Sequence, residues 1–215
     1  MVNFLIGMLF LLAQAPADMN EASACGVRQT GGSWILMAGK CVDGWAEGRG
    51  KARGASGESY TGGFHEGYFE GQGSLKWKDG SSYRGGFKRG HLHGQGSMTW
   101  ANGDRYKGKF QNDKPHGQGS LTRADGTRYQ GGFEDGEFEG RGRLQRPDGS
   151  TFVGEFRDGK PQGKGQASYP DGSKFDGEFK DGKPHGQGTA TTADGKKRPG
   201  RYESGQIVED GDGKD

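Results

Sequence analysis

The sequence predicts an all-β chain: an elongated, twisted antiparallel sheet assembled from tandem β-hairpins. Three observations carry that expectation. An aromatic–x–Gly–x–aromatic segment recurs at a step of 23 residues without insertion. Asp-Gly or Asn-Gly closes each interval, the strongest short-range hairpin signal. Glycine supplies 46 of 215 residues, whereas Leu, Ile, Val and Phe together supply only 29. Composition alone reads as a loose chain; the order of the residues specifies something else.

The first segment, "MVNFLIGMLFLLAQAPADMN", holds the one apolar run, Phe4 to Ala13. It falls short of the ~20 residues a membrane-spanning helix needs. Ala13-Gln14-Ala15 has the small-x-small form of a signal-peptidase site, so residues 1–15 are expected to be a cleaved secretory signal. The n-region has no Lys or Arg; the alternative is an uncleaved, shallow anchor. Residues 16–36 follow as an N-terminal cap. Cys25 and Cys41, the two cysteines, enclose 15 residues. In an exported chain, periplasmic or extracellular, they are expected to pair, and a loop of that length contributes ~3 kcal/mol. Two buried reduced thiols are the alternative. "EASA" before Cys25 lacks the large apolar residue that lipid modification favours.

The repeat occupies 37–205, with full units starting at 37, 60, 83, 106, 129, 152 and 175 and a last half-unit from 198. The ring pairs are Tyr60 and Phe64, Tyr83 and Phe87, Tyr106 and Phe110, Tyr129 and Phe133, Phe152 and Phe156, and Phe175 and Phe179. Side chains alternate along a strand, so both rings and the glycine between them share one face. A turn follows, ending in Gly67, Gly90, Gly136 or Gly159, and in Asp113 once. Glycine supplies positive φ there at low cost. The second strand carries Gly-x-Gly-x-apolar, as in Gly71-Gly73-Leu75. Those glycines fall on the ring side and leave bare backbone for rings to lie on. The stacked rings hold a slender sheet together and leave no deep pocket. The final stretch, 206–215, reads as a polar, disordered tail.

"YxGxFxxGxxHGxG" followed by "DG" at this step resembles the MORN repeat over 37–205. The segment "GKCVDGWAEGRG" with an upstream cysteine is also similar to secreted bacterial MORN repeat proteins. The resemblance implies a ribbon of antiparallel hairpins that scaffolds, binds partners or associates with membranes. MORN arrays also occur beside catalytic domains; none is evident in these 215 residues.

The residues themselves argue against catalysis. His93, His116 and His185 occupy the eleventh position of their units, where others place Glu70, Glu139 and Gln162. A position that exchanges His for Glu or Gln is a polar strand or turn residue, not a catalytic base. No Gly-Lys pair is followed by Ser or Thr, as a phosphate loop requires. His91 and His93 share a face, but His116 lies one unit on, ~9–10 Å away at two strand spacings, too far for joint coordination. No enzyme, cofactor or metal is expected.

Charge supplies the functional signal. Net charge is +2, which excludes a uniformly basic nucleic-acid binder. On the face opposite the rings, Arg84, Lys88, Arg105, Lys107, Lys109 and Arg128 share one parity with no acid in the same slots. Later units place Glu134, Glu155, Asp176 and Glu178 there. The expected partner is a protein or an anionic envelope or lipid surface met through these six residues, with no nucleic acid. The plainer alternative is that strand surfaces need charge for solubility and against stray pairing. The C-terminal sheet edge, from 198, offers a homodimer contact.

Overall fold

The computed structural model describes residues 25–29 and 32–210. The expected signal at 1–15, the rest of the segment before Cys25, and 211–215 lie outside the described residues. The all-β expectation holds: sixteen strands form one antiparallel sheet in strict chain order. They are β1 (Trp34–Val42), β2 (Trp45–Gly54), β3 (Ser59–His65), β4 (Tyr68–Lys76), β5 (Ser82–Lys88) and β6 (His91–Thr99). The series continues with β7 (Arg105–Gln111), β8 (Lys114–Thr122), β9 (Arg128–Glu134), β10 (Glu137–Gln145) and β11 (Thr151–Arg157). It ends with β12 (Lys160–Ser168), β13 (Lys174–Lys180), β14 (Lys183–Thr191), β15 (Lys197–Glu203) and β16 (Gln206–Asp210). Among the described residues no helix is long and apolar enough to cross a membrane.

The rings form the core. Tyr60, Tyr83, Tyr106 and Phe110 are each 1% exposed. Each tyrosine lies back along its own strand, and its phenol donates to a carbonyl three residues on. The acceptors are Gly63 at 2.8 Å, Gly86 at 2.9 Å, Lys109 at 2.9 Å and Gly132, from Tyr129, at 3.0 Å. The ring covers a glycine on the neighbouring strand: a Cβ on Gly119 would sit 2.6 Å from Cε2 of Tyr106. Edge-to-face contacts carry the core from unit to unit, with Tyr83 5.0 Å from Phe110 and Tyr106 4.9 Å from Phe133. Phe69 and Phe138 join this core, stacked on Tyr60 at 3.6 Å and on Tyr129 at 3.7 Å.

The two glycines of Gly-x-Gly do different work. Gly73 yields space to Tyr60, whereas Gly71 adopts φ +68° with nothing near its missing side chain. Gly71 sits in a register shift of β3–β4 where it and Gln72 have no partner on β3, and its left-handed conformation bends the strand. Conformation, not the ring, selects it.

Units are locked by their short turns. Both central residues of each turn have positive φ, such as Glu66 at 49° and Gly67 at 81°, the geometry that matches strand twist. The second central residue then donates its N–H to the preceding unit. Gly90 bonds the Phe69 carbonyl at 2.9 Å, Gly136 that of Pro115 at 2.9 Å, and Gly159 that of Phe138 at 3.0 Å. The eleventh position reinforces this latch. Glu70 accepts from the Arg89 N–H at 2.8 Å, Glu139 from Asp158 at 3.2 Å, and Gln162 from Asp181 at 3.1 Å. Where His93 replaces the acid, Asp113 reaches back instead, accepting from the Leu92 N–H at 2.7 Å and pairing with His91 at 2.6 Å. The aspartate in the glycine slot thus supplies a carboxylate to the latch at this one turn.

Both ends of the array differ from the 23-residue count. Counting back puts Met37 in the ring position, but bulges on either side of Ala38 place Leu36 opposite Ala52, in the ring row, and leave Met37 62% exposed. At the far end the polar tail does not begin at 206: Gln206–Asp210 pair with β15, because the edge of β15 offers unsatisfied backbone groups. Cys25 and Cys41 form a disulfide with Cα atoms 5.8 Å apart. The strap that follows Cys25 crosses the first short turns. Gly26 donates to the Gly44 carbonyl at 2.8 Å, Arg28 to that of Gly67 at 2.8 Å, and the Gln29 amide to that of Gly90 at 2.9 Å. The Arg28 guanidinium sits 3.6 Å over the Trp45 ring.

Candidate binding face

With one face filled by rings, the other is left to solvent. Arg84, Lys88, Arg105, Lys107, Lys109 and Arg128 all point there and are all exposed. Four ion pairs lie within 4.0 Å among the described residues, and none uses any of the six. The register sorts them. Arg105 and Arg128 lie in one row across the sheet, each opposite Thr122. Arg84 and Lys107 lie in the next row, both opposite Ser97. Lys109 stands further along its strand, opposite Gln95. Lys88 stands apart at the short-turn end, opposite His91. Four of the six are thus brought together, and two belong to other parts of the face.

The acids of the later units do not make a continuous negative area. Glu155 lies opposite Arg141, and Glu178 opposite Lys164. Asp176 accepts a 2.8 Å hydrogen bond from the Gln166 amide. Acids and bases therefore alternate across neighbouring strands. Between them runs an open trough of about 630 Å³, lined by Gln130, Arg141, Arg143, Glu155, Lys164 and Gln166, with a second of about 540 Å³ beside it. Val153, 46% exposed, lies in its floor.

Titratable groups with displaced pKa values lie elsewhere, in the buried tyrosine phenols and in carboxylates that hold turn backbone. The Glu66 N–H and the His65 ring hold the Glu47 carboxyl below the usual range, and the hydrogen bond to Glu47 raises His65. Asp125 is lowered by the Thr127 N–H and hydroxyl, and Asp148 by the Ser150 hydroxyl and N–H. These carboxylates are occupied with their own turns. Among the described residues no group of three or more His, Cys, Asp or Glu converges as a metal site would require.

The model of the MORN repeat matches six consecutive segments, 60–82, 83–105, 106–128, 129–151, 152–174 and 175–197. The chain belongs to the MORN repeat family. Each MORN unit thus spans a short first strand, the latching turn, the longer second strand and the closing Asp-Gly or Asn-Gly loop. The hairpin β1–β2 falls outside the matched units, and it is where bulges displace the ring row and Cys41 stands in a ring slot. No curated protein sequence matches the chain. Among solved structures it is similar to the TCP domain of SAS-4 (dCPAP) of Drosophila melanogaster, in complex with a proline-rich motif of Ana2. There identity is 11% over 72% of this chain and 84% of that one, with a TM-score of 0.45. It is similar also to the TCP10 domain of Danio rerio CPAP in complex with a STIL peptide, at 15% identity over 83% and 98% of the two chains and a TM-score of 0.28. Neither likeness bears on what this MORN array binds.

Proposed function

We propose that the chain is a non-catalytic binding scaffold that presents its polar β face to a protein or cell-envelope partner. One observation carries this reading: a face free of covering elements among the described residues spans the sheet, and its central cations have no carboxylate partner there within 4.0 Å. Groups placed at such density without internal partners are available to an opposite charge. The disulfide supports an oxidising, exported setting. Affinity capture from the native envelope fraction tests the proposal, comparing the native chain with a variant carrying Glu at Arg84, Lys107 and Lys109. A partner retained by the native chain and lost by the variant is the expected result. Equal retention by both removes the face from the function.

A second reading is peripheral binding to anionic phospholipid through Arg84, Lys88, Arg105, Lys107, Lys109 and Arg128. Their shared exposure supports it. Co-sedimentation with phosphatidylglycerol vesicles, lost on raising the salt, is the expected outcome; no sedimentation at low salt ends this reading. The free edge of β16 further supports a homodimer, whose mass by light scattering should halve on removal of 198–215.

A further inference from the structure

The register reveals a feature that no single unit displays. Starting at Arg53, the residue that opens or closes each strand on the polar face pairs with its counterpart across fourteen strands, β2 to β15, ending at Lys197. The cations in this row are Arg53, Lys76, Arg105, Arg128, Lys174 and Lys197. Every remaining member is Ser or Thr, apart from Gln145. The row contains no acid. All six cations are exposed, and none has a carboxylate within 4.0 Å among the described residues. The next row adds Lys51, Arg84, Lys107 and Arg143, and its first acid is Asp176 on β13. Carboxylates at the tips of the closing loops stand outside the row and are tied into their own turns. Asp79, Asp125, Asp148 and Asp171 accept hydrogen bonds from the backbone two residues on, at Ser81, Thr127, Ser150 and Ser173.

We infer that this row is a track for a linear polyanion, a phosphate-repeat chain running across the strands. This deepens the proposed function and rests on its choice of the polar face. Three physical points select the ligand. Strands lie ~4.8 Å apart, so the row presents a cation, a hydroxyl or, at Gln145, an amide donor at each such step, a repeat suited to a chain of charged groups. Adjacent strands rotate by ~20–25°, so a row of fourteen strands turns through roughly 260–325°. A flat bilayer meets only a few strands of such a helical line, whereas a flexible chain follows all of it. Neither row contains an aromatic residue, so the stacking platform that single-stranded nucleic acid uses is missing.

Long-chain inorganic polyphosphate is the probe, titrated by isothermal calorimetry against the intact native chain. Long polymer should bind at least 100-fold tighter than tripolyphosphate, and log K should fall with log salt at a slope of roughly −4 for six contacts. Gln at Arg53, Lys76, Arg105 and Arg128 together should weaken binding at least 30-fold. Gln at Arg157, Lys160, Lys180 and Lys183, the same charge change at the opposite edge of the same face, should weaken it less than 3-fold. Both variants are checked for native far-UV circular dichroism, and the chain-length and salt measurements need no variant. Equal affinity for short and long polymers overturns the track, as does equal loss in the two variants. Vesicle binding or capture of an envelope protein without polyphosphate binding also overturns it, while leaving the proposed function standing. An oligothymidylate of matched charge that binds tighter than polyphosphate overturns the choice of ligand.

Discussion

The four units that begin with tyrosine and the two that begin with phenylalanine have the same strands and turns but different anchoring. In the first group the phenol is tied to a backbone carbonyl, from Tyr60 to Tyr129. Phe152 and Phe175 have no such group and hold their places by edge contacts alone, 4.8 Å to Phe179 and 4.9 Å to Tyr202. Stacked partners occur only in the tyrosine units at 60 and 129, because the other four units place Leu92, Pro115, Pro161 and Pro184 where Phe69 and Phe138 stand. One fold is thus held with two levels of redundancy, and the C-terminal units have the lower one.

The largest expected effect is ring removal. Tyr129→Ala should cost about 3–5 kcal/mol, and Phe175→Ala should fall at the lower end of that range because no ring stacks on it. Urea unfolding with hydrogen exchange resolved by unit measures both, since an array need not melt as one body. Equal costs would erase the distinction between the groups. A smaller effect, about 1–3 kcal/mol, is expected for Gly119→Ala, which pushes a Cβ against a ring fixed at its hydroxyl. Gly165→Ala meets Phe152 at the same 2.6 Å, but that ring has no hydroxyl tied to a carbonyl, so its cost should be less.

Exchange of the anchor itself sharpens the comparison. Tyr106→Phe should lose about 0.5–1.5 kcal/mol, and Phe152→Tyr should gain a similar amount by reaching the Glu155 carbonyl. A loss on Phe152→Tyr would mean that the later units exclude the hydroxyl. The last test is pH. Burial pushes the phenols of Tyr83, Tyr106 and Tyr129 up to about 12, and Tyr60 further in the same direction. A raised phenol pKa stabilises the fold below pH ~10, and that contribution is lost as pH climbs through the folded value near 12. Ellipticity should therefore fall together with the rise of phenolate absorbance, and the triple Tyr→Phe variant at 83, 106 and 129 should shift the loss upward. Acid should not separate the groups. The lowered Asp125, Asp148, Asp171 and Asp194 contribute above the ordinary carboxylate range and lose that contribution as pH falls, in both halves alike.

Much of this was legible in the residue order. Ring pairs such as Tyr83 and Phe87 obey two periods at once, two within a strand and 23 along the chain, so both face and repeat could be read. Phe69 and Phe138 escaped notice because their position also accepts Leu92 and Pro115; only contact shows that a ring there stacks. The role of Glu70 was hidden for a different reason. It acts on Arg89, 19 residues away, and proximity of those two follows from how one hairpin leans on the next. Met37 was misplaced because a bulge changes parity without changing the count. The six cations of the central units were visible as a group, but Arg53, Lys76, Lys174 and Lys197 join two of them, Arg105 and Arg128, only through cross-strand register. Charge sorted by unit and charge sorted by row are different maps of one surface.

The latch between a turn and the carbonyl of the hairpin before it gives the array a direction. Each hairpin is completed by its successor, while the strap after Cys25 supplies the start with its own closure. Excising or inserting whole 23-residue modules leaves each latching N–H matched to a carbonyl of the hairpin before it, so the protein's length should be able to change without a change of architecture. It behaves as a ruler whose graduations are evenly spaced and whose reading is the number of modules.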